Sequence, residues 1–184
     1  MTQWAVVLAG GVGSRFWPVS TPDRPKQLLP LATSEPMLAD TLARLAPLVP
    51  PERTLILTND SLVSAIAALA PGLPHHNIIA EPRPAGTAAA LAWAAHVIAQ
   101  RGAWDDVMIS VHADWAIGDP EGFRAALRDA ARIAEARHAL VTVGVVPVRP
   151  DPGFGYIQPG DAIAGEDRAR RVARFVEKDR KSVV

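Results

Sequence analysis

The chain alternates short apolar runs with longer stretches in which apolar residues recur every three or four positions, the pattern of strands alternating with amphipathic helices. Trp4 to Leu8 is an apolar run and predicts a first strand. From Glu35 to Val49, residues Met37, Leu38, Leu42, Leu45 and Leu48 fall at near-helical spacing and predict a helix packed on a sheet, with Pro36 tolerated in its first turn. Arg53 to Thr58 reads as a buried strand, followed by an apolar-rich stretch to Leu69 that Asn59 or Asp60 is placed to cap. Asn77 to Glu81 and Asp106 to Val111 predict strands, Thr87 to Gln100 an alanine-rich helix, and Pro120 to Arg137 a helix carrying Phe123, Leu127 and Ile133 inward. The β-branched run Leu140 to Val146 predicts another strand, and Gly153 to Gln158 and Arg171 to Glu177 predict later β segments joined by a polar linker, Gly160 to Arg170. Strands alternating with helices imply parallel pairing through right-handed crossovers. The expected fold is therefore α/β: a three-layer, Rossmann-like, open and mostly parallel sheet with helices on both faces. In such sheets ligands sit beyond the carboxyl ends of the strands.

At 184 residues the chain can bury one core without needing a second domain. Lys plus Arg and Asp plus Glu number 19 each, so no bulk attraction draws the protein to nucleic acid or to a membrane, and any anion recognition is local. The lack of cysteine removes disulfides and thiolate metal sites. No basic start and apolar signal core precede the first strand, and a cytoplasmic protein is expected. His75, His76, His96 and His138 show no metal-ligand spacing.

The chemistry gathers where the first apolar run ends. Gly10, Gly11 and Gly13 remove side chains where the chain leaves the strand, so backbone N–H groups can close on an anion. Arg15 inside the turn and Lys26 after three prolines would bring positive charge to the same anion. The loop is not a P-loop, because no Gly-Lys-Ser/Thr closes it, and Phe16 stands where the dinucleotide fingerprint needs its third glycine. A Gly-Gly-x-Gly turn after a strand is not specific by itself. Its companions Trp17-Pro18 and Pro25-Lys26-Gln27 narrow the field.

Together, Gly10-Gly11-Val12-Gly13-Ser14-Arg15-Phe16-Trp17-Pro18 and Pro25-Lys26-Gln27 resemble the signature of the nucleotidyltransferases that make nucleotide-sugars, most closely the mannose-1-phosphate guanylyltransferases. The resemblance implies a nucleotide-diphospho-sugar transferase type of fold. It implies catalytic roles for Arg15 and Lys26 on the phosphates, and nucleotide binding by Gly10, Gly11, Gly13 and Ser14. Glu81-Pro-Arg-Pro-Ala-Gly-Thr-Ala-Ala-Ala90 is similar to a family segment that helps hold the nucleotide, with Gly86 in place of its Asn and Ala89 in place of its Pro; it adds Glu81, Gly86 and Thr87 to the nucleotide set. From the residues alone this segment is either a helix start that attracts a phosphate or a base carbonyl, or a Pro-rich turn with Thr87 as cap.

His112-Ala113-Asp114-Trp115 resembles the family's Pro-Ala-Asp-His, which implies that Asp114 binds Mg²⁺, the expected cofactor. Pro150-Asp-Pro-Gly-Phe-Gly-Tyr-Ile157 and Phe175-Val-Glu-Lys178 resemble sugar-phosphate motifs and imply roles there for Gly155, Tyr156, Glu177 and Lys178. The implied reaction transfers GMP from GTP to mannose 1-phosphate, giving GDP-mannose and pyrophosphate, with no nucleic-acid or membrane partner and a homo-oligomer possible in the full-length protein. A sister glucose-1-phosphate thymidylyl- or uridylyltransferase is the alternative activity. A non-catalytic nucleotide-sugar sensor is the alternative of another class, and an inactive nucleotide-binding fragment is the third.

The family's Glu-Lys-Pro is broken at Asp179, and the last six residues, Asp179 to Val184, are what a common sequencing-library adapter spells. Residues 1–178 are therefore expected to be a nucleotidyltransferase domain truncated at its C-terminal side, and 179–184 a non-native tail.

Overall fold

The computed structural model describes residues 2–11 and 16–176. They fall into two compact units, Met1–Val141 and Thr142–Val184. In the first unit four strands, β1 (Gln3–Leu8), β2 (Thr54–Asn59), β3 (Ile78–Glu81) and β4 (Val107–His112), form one all-parallel sheet in the order β3-β2-β1-β4. β1 lies inside that order and is buried from Trp4 to Val7, because a parallel strand covered on both faces has no polar side to show.

The two faces of β1 divide the helices. Ala5 and Val7 point to a cluster with Leu38 and Leu45 of α1 (Met37–Leu45), Ile66 of α2 (Val63–Leu69), and Leu127 and Ala131 of α4 (Pro120–Arg137). Trp4 and Val6 point the other way, to Leu55, Leu57 and the Ala90, Ala94 and Ile98 stripe of α3 (Thr87–Gln100). The three-layer expectation thus holds, with three helices on one face and one on the other.

Local signals set the helix ends. The Asp119 side chain accepts the Gly122 N–H at 2.9 Å and Pro120 occupies the first helical position of α4, while His138 closes it in the left-handed region at φ 47°. α1 is shorter than the periodic stretch that predicts it, and the cap expected of Asn59 or Asp60 is different in kind. Asn59 precedes a single 3₁₀ turn, Asp60–Leu62, without a side-chain bond to the helix backbone, and accepts instead from the Ser61 hydroxyl at 2.7 Å. Thr87 is likewise not a cap: Gly86 holds that position at φ 84° and ψ 166°, a conformation open almost only to glycine.

The second unit contains an antiparallel hairpin, β5 (Tyr156–Ile163) and β6 (Glu166–Val176), turning at Ala164 and Gly165 with Gly165 at φ 79°. Most of the linker expected from Gly160 to Arg170 is therefore strand. Pairing through the backbone needs no apolar side chains, and the largely exposed strands disguise themselves as polar connection. The strand expected from Leu140 to Val146 is not formed: the segment has no ladder partner among the described residues, and Leu140, Val145 and Val146 stand in solvent. β-branched composition favours a strand only where a neighbour can pair with it. No helix among the described residues is long and apolar enough to cross a membrane.

Candidate functional site

The chain passes from β1 to β2 on one side and then, after β3, crosses back to lay β4 on the other side of β1. Between β1 and β4 the order reverses, and it is beyond the carboxyl ends of such strands that sheets of this kind hold their ligands. Leu8 is in register with His112, so Gly10 and Asp114 each stand two residues past the same rung. The ladder continues to the brink: the Ala9 N–H donates to the Leu57 carbonyl at 2.8 Å, and the Ala113 N–H to the Leu8 carbonyl at 3.0 Å. Gly10 and Gly11 then leave the sheet exposed.

Lys26 opens a single 3₁₀ turn, Lys26–Leu28, that bridges the two strand ends. Its ammonium donates to Asp114 Oδ2 at 3.2 Å and lies 4.6 Å from the centre of the Phe16 ring. The neighbouring Gln27 is buried, and its Nε2 donates to the Ala9 carbonyl at 2.7 Å, which also accepts from the Thr58 hydroxyl at 3.2 Å. The exit of β1 is therefore tied to the same turn that carries Lys26. On the other side Glu81 ends β3, and a Cβ built on Gly10 would stand 3.7 Å from Glu81 Oε2. Gly86 and Thr87, at the start of α3, are exposed.

The backbone on either side of Asp114 meets helix side chains. Arg44 of α1 is only 8% exposed, and its Nη2 donates to the Trp115 carbonyl at 3.3 Å. Its guanidinium lies 5.9 Å from the Phe123 ring centre, and burial pushes its pKa below the ordinary value, with Asp40 acting in the opposite sense. The Trp115 ring meets the His112 ring at 5.1 Å and the edge of Phe123 at 6.4 Å. His112 and Trp115, which depart from the resembled motif, are thus each other's packing partners. The Thr41 hydroxyl donates to Met37 O at 2.9 Å, with the Ala113 carbonyl at 3.5 Å.

Of the residues singled out in the sequence, the structure brings together Gly10, Gly11, Lys26, Glu81 and Asp114 within the first unit. Gly13, Ser14, Arg15, Glu177 and Lys178 lie outside the described residues. Gly155 and Tyr156 belong to the second unit. There the Tyr156 hydroxyl donates to the Asp151 carbonyl at 2.9 Å and accepts the Asp151 N–H at 2.7 Å, so it closes its own loop. Gln27 stands in the Pro25-Lys26-Gln27 motif, but nothing in the sequence gives it a partner; Thr58 and Arg44 are marked by no spacing at all.

An exposed glycine turn, an ammonium and a carboxylate at the reversal of strand order suit a polyphosphate with a hard cation. No group of three or more His, Asp or Glu that could cage a metal exists among the described residues. Asp114 alone fits magnesium in the manner that ion prefers, with one or two carboxylates and the remaining positions filled by phosphate oxygens and water.

A family model described as nucleotidyl transferase matches residues 4–183. The mannose-1-phosphate guanylyltransferase of Escherichia coli strain K12 is 41% identical over 180 residues, covering 95% of this chain and 37% of that protein. The protein of that name from Salmonella muenchen is 42% identical over 181 residues, covering 94% and 36%. The chain spans little more than a third of the length of these curated relatives. Among solved structures, one described as a mannose-1-phosphate geranyltransferase from Thermus thermophilus is similar with a TM-score of 0.81 at 34% identity, covering 97% of this chain and 51% of that one. A UDP-glucose pyrophosphorylase from Acinetobacter baumanii, with a TM-score of 0.67 at 19% identity over 97% of this chain and 68% of that one, shares the fold.

Proposed function

The chain belongs to the nucleotidyl transferase family, and on that premise we propose that it serves the transfer of GMP from GTP to mannose 1-phosphate. The roughly 40% identity to guanylyltransferases of that name supports the choice of substrates. An oxygen of the sugar 1-phosphate bonds to the α-phosphorus of GTP while the bond from that phosphorus to the α–β bridging oxygen breaks. The bridging oxygen leaves with pyrophosphate, and GDP-mannose remains. Such transfers depend on positioning and on neutralising charge, with little covalent work for the protein.

The observation that carries the reading is the meeting of Lys26 and Asp114 beside Gly10 and Gly11 at the reversal point of the sheet. Gly10 and Gly11 leave room for the phosphates to approach the backbone, and Gly13 and Ser14 are assigned to the same phosphates. Lys26, with Arg15, offsets charge growing on the phosphate oxygens. Asp114 would hold Mg²⁺, which when bound adds its own positive charge to the same oxygens. Glu81, Gly86 and Thr87 are assigned to the nucleoside, and Gly155, Tyr156, Glu177 and Lys178 to the sugar phosphate. The proposed reaction is assigned to the cytoplasm.

The test measures equilibrium binding of GTP, ATP, UTP and dTTP in Mg²⁺, and pyrophosphate release from each with mannose 1-phosphate or glucose 1-phosphate. GTP with mannose 1-phosphate is expected to lead, and Lys26→Ala and Asp114→Ala each to lower turnover by at least about a hundredfold. A lead by dTTP or UTP with glucose 1-phosphate would move the assignment to a sister transferase. Tight binding without turnover and without metal dependence would move it to a nucleotide sensor.

A further inference from the structure

Arg44 is only 8% exposed and has no carboxylate in ion-pairing distance among the described residues, Asp40 favouring its charge only from further off, and a buried charge so weakly compensated needs a reason because it is costly. Among the described residues the Arg44 guanidinium has one hydrogen-bond acceptor, the Trp115 carbonyl at 3.3 Å, and one ring, Phe123, near its face. Both partners concern the residue that follows Asp114. The carbonyl fixes the backbone on the C-terminal side of Asp114, and Phe123 packs on the Trp115 ring from one side while His112 packs from another. The Ala113 N–H, bonded to Leu8, fixes the N-terminal side. Asp114 is thereby gripped at both flanks while its own side chain, 41% exposed, faces Lys26.

We infer that Arg44 is the positioning residue of the cation-holding carboxylate, acting on Asp114 through the Trp115 backbone. The inference rests on the reading of Asp114 as the residue that holds the divalent ion. Outer partners of metal-holding groups orient them, and their removal weakens metal binding by about 10–100-fold. Arg44 does this from a helix across the loop, so its effect falls on the metal and spares the phosphate contacts made by Lys26 and the glycine turn.

The experiment uses the full chain and Mn²⁺ as probe, with Mn²⁺ binding at saturating GTP followed by electron paramagnetic resonance, and GTP binding in EDTA measured in parallel. Arg44→Met is expected to weaken Mn²⁺ about tenfold while leaving metal-free GTP affinity within about twofold, and Arg44→Lys to recover most of the loss. A merely structural role lowers the melting temperature and moves neither binding constant in the folded protein. If Arg44→Met does not fold, Phe123→Leu, which removes the ring beneath both Arg44 and Trp115, is expected to weaken Mn²⁺ in the same direction. Asp114→Asn separates the two readings: if it binds Mn²⁺ as the parent does, Asp114 is not the holder. If it loses Mn²⁺ while Arg44→Met, or Phe123→Leu in its place, keeps it, the positioning role is overturned.

Discussion

Asp114→Asn is expected to make GTP bind more tightly, provided that no metal is present. In the structure Lys26 spends its ammonium on Asp114 Oδ2 at 3.2 Å, with the two side chains 21% and 41% exposed. Two unit charges at that distance attract by about 1.3 kcal/mol in bulk water, and side-chain entropy and salt reduce a half-exposed pair to roughly 0.5–1 kcal/mol. A phosphate that recruits Lys26 must first break this pair. Asparagine removes the competition, and about 0.5–1 kcal/mol converts to a two- to fivefold gain in affinity.

The assay is GTP binding by equilibrium dialysis in EDTA at low salt, repeated in excess Mg²⁺, where the order is expected to invert because the variant lacks the metal-holding carboxylate. Deleting a negative charge near phosphates also helps any anion, whatever Lys26 does. The double variant with Lys26→Met isolates the coupling. The reasoning fails if the gain from Asp114→Asn is the same with and without Lys26, or if no gain exists.

Other perturbations probe the frame. Gly86→Ala is expected to destabilise the fold by about 1–3 kcal/mol in urea denaturation, since an added Cβ meets nothing within 4 Å and the whole cost is the backbone conformation at φ 84°; an unchanged midpoint would mean that α3 starts differently. Tyr156→Phe removes both the donor to the Asp151 carbonyl and the acceptor of the Asp151 N–H, and is expected to speed exchange of that amide severalfold, as followed by NMR. The Glu121 carboxyl is held below its ordinary value, first by its hydrogen bond from Arg124 and then by Arg128. Its folded-state pKa is depressed, so its contribution is present above the unfolded value and fades as pH falls through the folded one. The stability difference between the parent and Glu121→Gln is therefore expected to shrink below about pH 4.5, read from urea midpoints across an acid series.

Helices α3 and α4 were legible to the residue, Thr87–Gln100 and Pro120–Arg137, because proline, aspartate and alanine act locally. The four parallel strands were legible from apolar runs. What failed was whatever depends on a distant partner. Leu140 to Val146 has strand composition and no ladder, whereas the polar stretch from Gly160 to Arg170 pairs across a hairpin that composition hides. The site shows the same division. Lys26 and Asp114 could each be named from a motif, but that they touch, 88 positions apart, follows from the β1–β4 pairing. Gln27 and Arg44 act on carbonyls, and a carbonyl leaves no mark in a sequence.

The inner placement of β1 carries a consequence for synthesis. Of the four strands of this sheet, β1 is synthesised first and receives its β4 neighbour last, and the Trp4 indole must wait for the Asp106 carboxylate 102 positions later. At about 5–20 residues per second that is an interval of about 5–20 s, during which the Trp4–Val7 run has an open backbone edge. Translation speed across residues 60–112 thus becomes a variable of yield: slow codons there lengthen the window for strand-to-strand aggregation, and faster ones shorten it.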